Sequence, residues 1–281
     1  MKIVPFAPIL LEARKGGYAV PAFNVVNMET IQAVTKAAEE EKSPLIIQLF
    51  RDDLDFSGAD YMVTMANTAA SHCTVPISVS LDHGHSYEQA VRCIEAGFTG
   101  VMIDLSSSDF NENIRSTKKV VEYAHARGVS VEAELGKIFD ADAPVEIRNS
   151  GMTDPEGAAE FAAKTGVDAL AVSIGTAHGL YSSKPVIDFE RAEKIVKLLP
   201  CPTVVHGGSN TPDEDIVRLC GFGVAKINIG TDLNLAYNKG LREAFKKYGD
   251  KAFIRDLMAM ARDSVVEVAR HKIRLFRTYA K

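Results

Sequence analysis

The chain has 281 residues, 46% hydrophobic and 25% charged, which is ample for a sizeable core and fits one large α/β barrel domain spanning 1–281 or two smaller domains. Its net charge of -5 and lack of a dense Lys/Arg tract speak against nucleic-acid binding, and no run approaches the length of a membrane span. Four cysteines without CxxC spacing, and an N-terminus lacking the uninterrupted apolar core of a signal peptide, predict reduced thiols in a cytoplasmic protein.

In chain order, the opening MKIVPFAPILLEARKGG is an apolar stretch broken by two prolines. Strand candidates then come at regular intervals: 18–25, 44–50, 76–82, 100–106, 130–136, 169–175, 202–208 and 224–230. Each is short, apolar and rich in Val, Ile or Leu, as strands buried on both faces are. Helical patterns fill the gaps. One runs from Met28 to Lys42. Another starts at Ser86, with Gln89 at capping-box spacing. A third puts Ile114, Val121 and Ala124 on one face and ends at Gly128. A fourth opens with Thr153, Asp154 and Pro155. Further helical patterns follow the last two strands. Eight such units over about 250 residues predict a (β/α)8 TIM barrel; the rival is a doubly wound open sheet. A long helical segment after Lys251 exceeds what a barrel needs and is expected to pack on a partner subunit or across the barrel's outside. The stretch 139–151 is the longest weakly patterned one, and its place after strand five makes it a candidate lid.

The chemistry gathers where the strands run out. His83, His178 and His206 follow strands three, six and seven, which converge on the catalytic rim of a barrel. Each alone reads as a polar residue at a strand end. Together, three imidazoles leave a divalent metal with open positions, the pattern of a catalytic site. His85 reads as a surface or supporting residue. Asp82, beside His83, should point to the opposite face of the strand and serve as a general acid/base toward substrate rather than as a metal ligand. Asp104 and Glu134 end strands four and five and either hold a metal in a second position or orient the histidines. Glu132 shares the face of Glu134, so spacing alone does not decide between them. The glycine-rich HGGSN (206–210) and NIGTD (228–232) follow strands seven and eight, the common phosphate position in such barrels, with Gly179 adding an N–H group.

With LDHG, VEAELG, IGTAHG, VVHGGS and KINIGT in this order, and GYAVPAFNV at the start, the chain resembles the class II fructose-bisphosphate and tagatose-bisphosphate aldolases from about Gly17 to Lys281. The resemblance implies reversible cleavage of a ketose 1-phosphate or 1,6-bisphosphate to dihydroxyacetone phosphate and an aldehyde. It implies His83, His178 and His206 as zinc ligands, and Glu134 and Asp104 near a second metal position. Cobalt or manganese would also suit three imidazoles. It implies Asp82 as the proton acceptor beside the scissile bond. Asn24, Gly179, Gly207, Gly208, Ser209, Asn228, Ile229, Gly230 and Thr231 would form the dihydroxyacetone-phosphate pocket, near which the family often binds Na+ or K+. A Lewis-acid metal calls for no Schiff-base lysine, and strand six carries none.

Three stretches depart from the family pattern: QLFRDD after strand two, SSSDF (Ser106 to Phe110) after strand four and KIFDADAP after strand five. The last should supply the acid that exchanges the donor proton; Asp142 falls closest and Asp140 is a second candidate. The donor half therefore reads as intact and the acceptor half as remodelled, with Arg51 a candidate ligand for an anionic tail. The expected partner is a small sugar phosphate, in a homodimer or homotetramer. Competing readings are a Schiff-base aldolase using Lys226, a metal-dependent isomerase or epimerase, and a non-catalytic sugar-phosphate-binding subunit.

Overall fold

A computed structural model describes residues 3–181 and 184–280. Eight parallel strands close into a barrel in chain order: β1 (Val20–Asn24), β2 (Leu45–Phe50), β3 (Ile77–Gly84), β4 (Gly100–Ile103), β5 (Ser130–Leu135), β6 (Ala169–Val172), β7 (Thr203–Val205) and β8 (Val224–Ile229). The register closes through Ala22 opposite Asn228 on one side of β1 and Ile46 on the other. All eight expected strands form. Those at 100–106, 169–175 and 202–208 end early, after Ile103, Val172 and Val205. There the chain turns outward into rim loops, with left-handed Gly175 (φ 100°) and Gly207 (φ 71°).

Twelve α-helices accompany the strands among the described residues: α1 (Phe6–Gly16), α2 (Met28–Glu41), α3 (Arg51–Ser57), α4 (Ala59–Ser71), α5 (Tyr87–Ala96), α6 (Phe110–His125), α7 (Val145–Ser150), α8 (Pro155–Thr165), α9 (Phe189–Leu198), α10 (Asp213–Phe222), α11 (Thr231–Tyr248) and α12 (Ile254–Leu275). The predicted starts hold. Ser86 Oγ accepts the Gln89 N–H at 3.1 Å, and Asp154 Oδ2 accepts the Gly157 N–H at 2.7 Å. The Gln89 side chain accepts from His85 N–H rather than from the cap itself. The stretch 139–151 is not wholly irregular, because α7 occupies its second half.

The N-terminal stretch departs from expectation. Its two prolines do not break it: Pro5 is the cap of α1 and Pro8 lies in the first turn, where a helix needs no N–H donor. Phe6, Leu10 and Ala13 are fully buried and pack with inward side chains such as Val20, Ile46, Met102, Ala169 and Val204. α1 is thus the plug at the barrel's floor, each large side chain contributing about 1.5–3 kcal/mol. The fit is close enough that a Cβ on Gly100 would lie 2.4 Å from the Phe6 ring.

The C-terminal segment packs on the barrel's outside. α12 runs antiparallel to α11 and alongside α2. Gly240 lies against the backbone of Met260 and Ala261, and Lys272 Nζ reaches Asp232 Oδ2 at 2.8 Å. On the other flank Arg270 pairs with Glu40 at 2.9 Å, and Phe276 carbonyl accepts the Ala19 N–H at 3.1 Å.

Candidate active site

The cavity at the catalytic rim measures about 370 Å³ and is lined by Asn24, Phe50, Asp53, Asp82, His83, Asp140, His178, Gly179, His206, Gly207, Ser209, Asn228, Gly230, Thr231 and Asn234. Larger grooves between α2 and α4, beneath α1, and between α4 and α5 lie on the outside and away from the histidines.

His83 enters the cavity through a break in β3. Between Leu81 and Gly84 the register with β4 shifts, and His83 takes a left-handed φ of 51°. The shift corrects the expectation from strand alternation, since Asp82 and His83 both line the cavity, with Asp82 Oδ1 4.0 Å from His83 Nε2. His83 Nδ1 lies 2.7 Å from Asp104 Oδ2 and 3.8 Å from Glu134 Oε2. Its Nε2 faces His206 Nδ1 at 2.9 Å, and His206 Nε2 lies 2.9 Å from Glu132 Oε1. The two strand-five carboxylates thus divide the work that spacing left open. Glu134 faces His83, and Glu132 holds His206 while accepting from Lys226 Nζ at 2.7 Å. His178 is fixed by backbone bonds to the loop after β5: its N–H donates to Phe139 and its carbonyl accepts from Ala141.

The ligand set fits a divalent metal. Ring nitrogens of His83, His178 and His206 lie within 4.8 Å of one another, as do ligand atoms of His83, Asp104 and Glu134. His178 Nε2 and Glu134 Oε2 are buried without a hydrogen-bond partner, a state that a cation would resolve. Burial, reinforced by the charge of His83, lowers His178 to about 4 and His206 further below its ordinary value, so both stay in the neutral, ligating form. Burial alone would lower His83, but Asp82, Asp104 and Glu134 raise it to about 9. Burial and Asp104 raise Glu134 to about 8.

Asp82 is held at both oxygens. Asn24 Nδ2 donates to Oδ2 at 2.7 Å and Asn228 Nδ2 to Oδ1 at 3.2 Å. Burial would push this carboxyl up, but the fields of His83, His206 and Lys226 and the Asn24 amide bring it below the ordinary range. The glycine-rich loops are cross-braced. Ser209 Oγ accepts from the N–H groups of Gly230 and Asp232 at 3.2 Å each. Asp232 accepts the Asn210 N–H at 3.2 Å and is itself paired with the buried Lys272. A Cβ on Gly207 would lie 2.2 Å from Ala177 carbonyl, so the β6 and β7 loops meet only because this residue is glycine.

Several predicted residues sit elsewhere. Gly208 N–H is already donated to Asn228 carbonyl at 3.1 Å, and the Ile229 side chain is in the outer core. Arg51 stays outside the cavity, pairing with Asp52 at 3.4 Å and lying 5.4 Å from the Phe50 ring centroid. Asp142 is exposed and does not line the cavity, whereas Asp140 does. Lys226, the Schiff-base alternative, is buried against Glu132 and does not line the cavity either. Sequence reasoning missed Asp53 and Asn234. Asp53 follows Arg51 and Asp52 in a charged run that reads as solvent-facing, and Asn234 carries no motif.

Comparison with known proteins agrees with the geometry. The family model described as fructose-bisphosphate aldolase class-II matches residues 4–281. The fructose-bisphosphate aldolase of Thermus caldophilus is 42% identical, covering 95% of this chain and 96% of its own. That of Staphylococcus aureus strain Mu50 is 37% identical over 99% and 98%. The crystal structure of the YdjI aldolase from Escherichia coli K12 superposes with a TM-score of 0.88 at 36% identity, over 99% of this chain and 98% of the other. Barrel, histidine cluster and whole-length similarity converge on one assignment: the chain belongs to the class II fructose-bisphosphate aldolases, a metal-dependent family of aldehyde-lyases.

Proposed function

We propose that this protein cleaves a ketose 1-phosphate, reversibly, to dihydroxyacetone phosphate and an aldehyde, with an acceptor side altered from the fructose- and tagatose-bisphosphate pattern. The observation that carries the reading is the juxtaposition of three converging imidazoles with a carboxylate held by two amides. His83, His178 and His206 would hold a divalent cation, zinc by ligand type, with Asp104 and Glu134 beside it. Such a cation supplies Lewis acidity at the ketose carbonyl.

The chain's own groups do the rest. Asn24 and Asn228 fix Asp82 so that one carboxylate oxygen takes the proton from the substrate hydroxyl beside the scissile carbon–carbon bond. That bond breaks, its electron pair stays with the donor half, and the aldehyde leaves. Asp140, which lines the cavity on the loop docked against His178, would return a proton to the donor carbon. Ser209 in the β7 loop, with Gly230 and Thr231 at the start of α11, would receive the phosphate, where the helix N-terminus favours an anion. Lys226 is unsuited to Schiff-base chemistry because its amine is buried against Glu132 and does not line the cavity.

A coupled assay for dihydroxyacetone phosphate tests this, run on fructose 1,6-bisphosphate, tagatose 1,6-bisphosphate and a set of ketose 1-phosphates. The expected result is triose release that EDTA abolishes and zinc restores, with a ketose 1-phosphate preferred. No release from any ketose, with metal shown to be bound, would overturn the reading in favour of an isomerase or a binding subunit.

A further inference from the structure

The β2 side of the cavity has a chemistry of its own. β2 ends at Phe50 and α3 begins at the next residue. Phe50 lines the cavity edge-on to His83, with ring centroids 6.1 Å apart. Asp53, three residues on and so on the same side of the turn, lines it too. Apart from the histidines, every ionisable side chain that lines the cavity is an acid: Asp53, Asp82 and Asp140. No lysine or arginine lines the cavity among the described residues, and Arg51, the nearest in sequence, is engaged outside it with Asp52 and the Phe50 ring.

An anionic group at the far end of a substrate would meet the Asp53 carboxylate there without a lining cation to offset it. A hydroxyl group, by contrast, would donate a hydrogen bond to that carboxylate and gain from its charge. We propose that Asp53 is a specificity-determining residue, selecting an aldehyde half that is uncharged and hydroxylated over one that ends in phosphate or carboxylate. The inference rests on the aldolase reading above. It turns the altered acceptor side into a substrate class: ketose 1-phosphates with a neutral polyol tail.

The test uses the metal-loaded enzyme and ketose 1-phosphates of equal length ending in hydroxymethyl, carboxylate or phosphate. The wild type should favour the hydroxymethyl end by at least about tenfold in kcat/KM, the scale of one unscreened charge repulsion in a cleft. Asp53→Asn should raise kcat/KM for both anionic tails by about tenfold and lower it by about threefold or more for the neutral tail, because the amide oxygen accepts the hydroxyl without the charge that strengthens the bond. Asp53→Ser, with no charge and a smaller side chain, should narrow the ratio likewise. Arg51→Met should leave the ranking unchanged. Triose release with an anionic tail preferred, an unchanged ratio in both Asp53 variants, or loss of an anionic-tailed substrate in Arg51→Met would each overturn this inference alone. Absence of triose release from every substrate would remove the aldolase reading and this one with it.

Discussion

The two flanks of the cavity are built differently. Toward β6, β7 and β8 the groups are set by backbone: Gly207 packs against Ala177, Ser209 ties two N–H groups of the β8 loop, and His178 is clasped by the β5 loop. Toward β2 the surface is made by two side chains, Phe50 and Asp53, at the start of a seven-residue helix. A backbone-braced flank tolerates little change and suits the part of the substrate that stays constant. A flank made of side chains on a short helix changes by single substitutions, and suits the part that varies.

The sharpest way to break that contrast lies in the constant half. Asp82→Asn should lower kcat by about 10²–10⁴ with metal content unchanged, read by metal analysis beside the triose assay. If kcat stays within tenfold, Asp82 is not the proton acceptor. Glu132→Leu comes next. It frees the His206 imidazole and strands the buried Lys226 ammonium, so metal affinity should fall about 10–100-fold and stability by about 3–5 kcal/mol. Metal titration and denaturant unfolding measure the two separately, and unchanged metal affinity would deny Glu132 its orienting role.

Much of the constant half was readable from residues alone. His83, His178 and His206 stood at strand ends because each apolar run breaks into glycine there, and a barrel brings such ends together. What stayed hidden has local causes. The break in β3 depends on a left-handed His83, which no residue type signals, so alternation misdirected the reading of Asp82. The prolines near the N-terminus looked like interruptions because a first helical turn and a loop accept proline equally. Asp53 was lost inside RDD, where a charged run hides one member that turns inward.

Smaller effects test the scaffold beneath both flanks. Gly100→Ala should cost about 1–3 kcal/mol by pushing Phe6 out of the floor, visible as a lower unfolding midpoint with the site's metal affinity retained. A wild-type midpoint would mean that α1 yields more easily than its packing suggests. The mildest expectation concerns the thiols. Burial raises Cys93, Cys201 and Cys220 each to about 12, so they remain protonated far above neutrality. At pH 8 a thiol reagent should leave all three unmodified until the protein is unfolded. Rapid native labelling would show that this part of the barrel opens readily.

The pairing of Lys272 with Asp232 has a consequence in time rather than in space. Asp232 secures Asn210 in the β7 loop, and its counter-ion lies forty positions later in the chain, 272 − 232 = 40. During synthesis every strand of the barrel emerges before that lysine does. A nascent chain with all its strands made still lacks the charge that steadies its glycine-rich rim loops, so ligand affinity should be among the last properties acquired as the polypeptide leaves the ribosome.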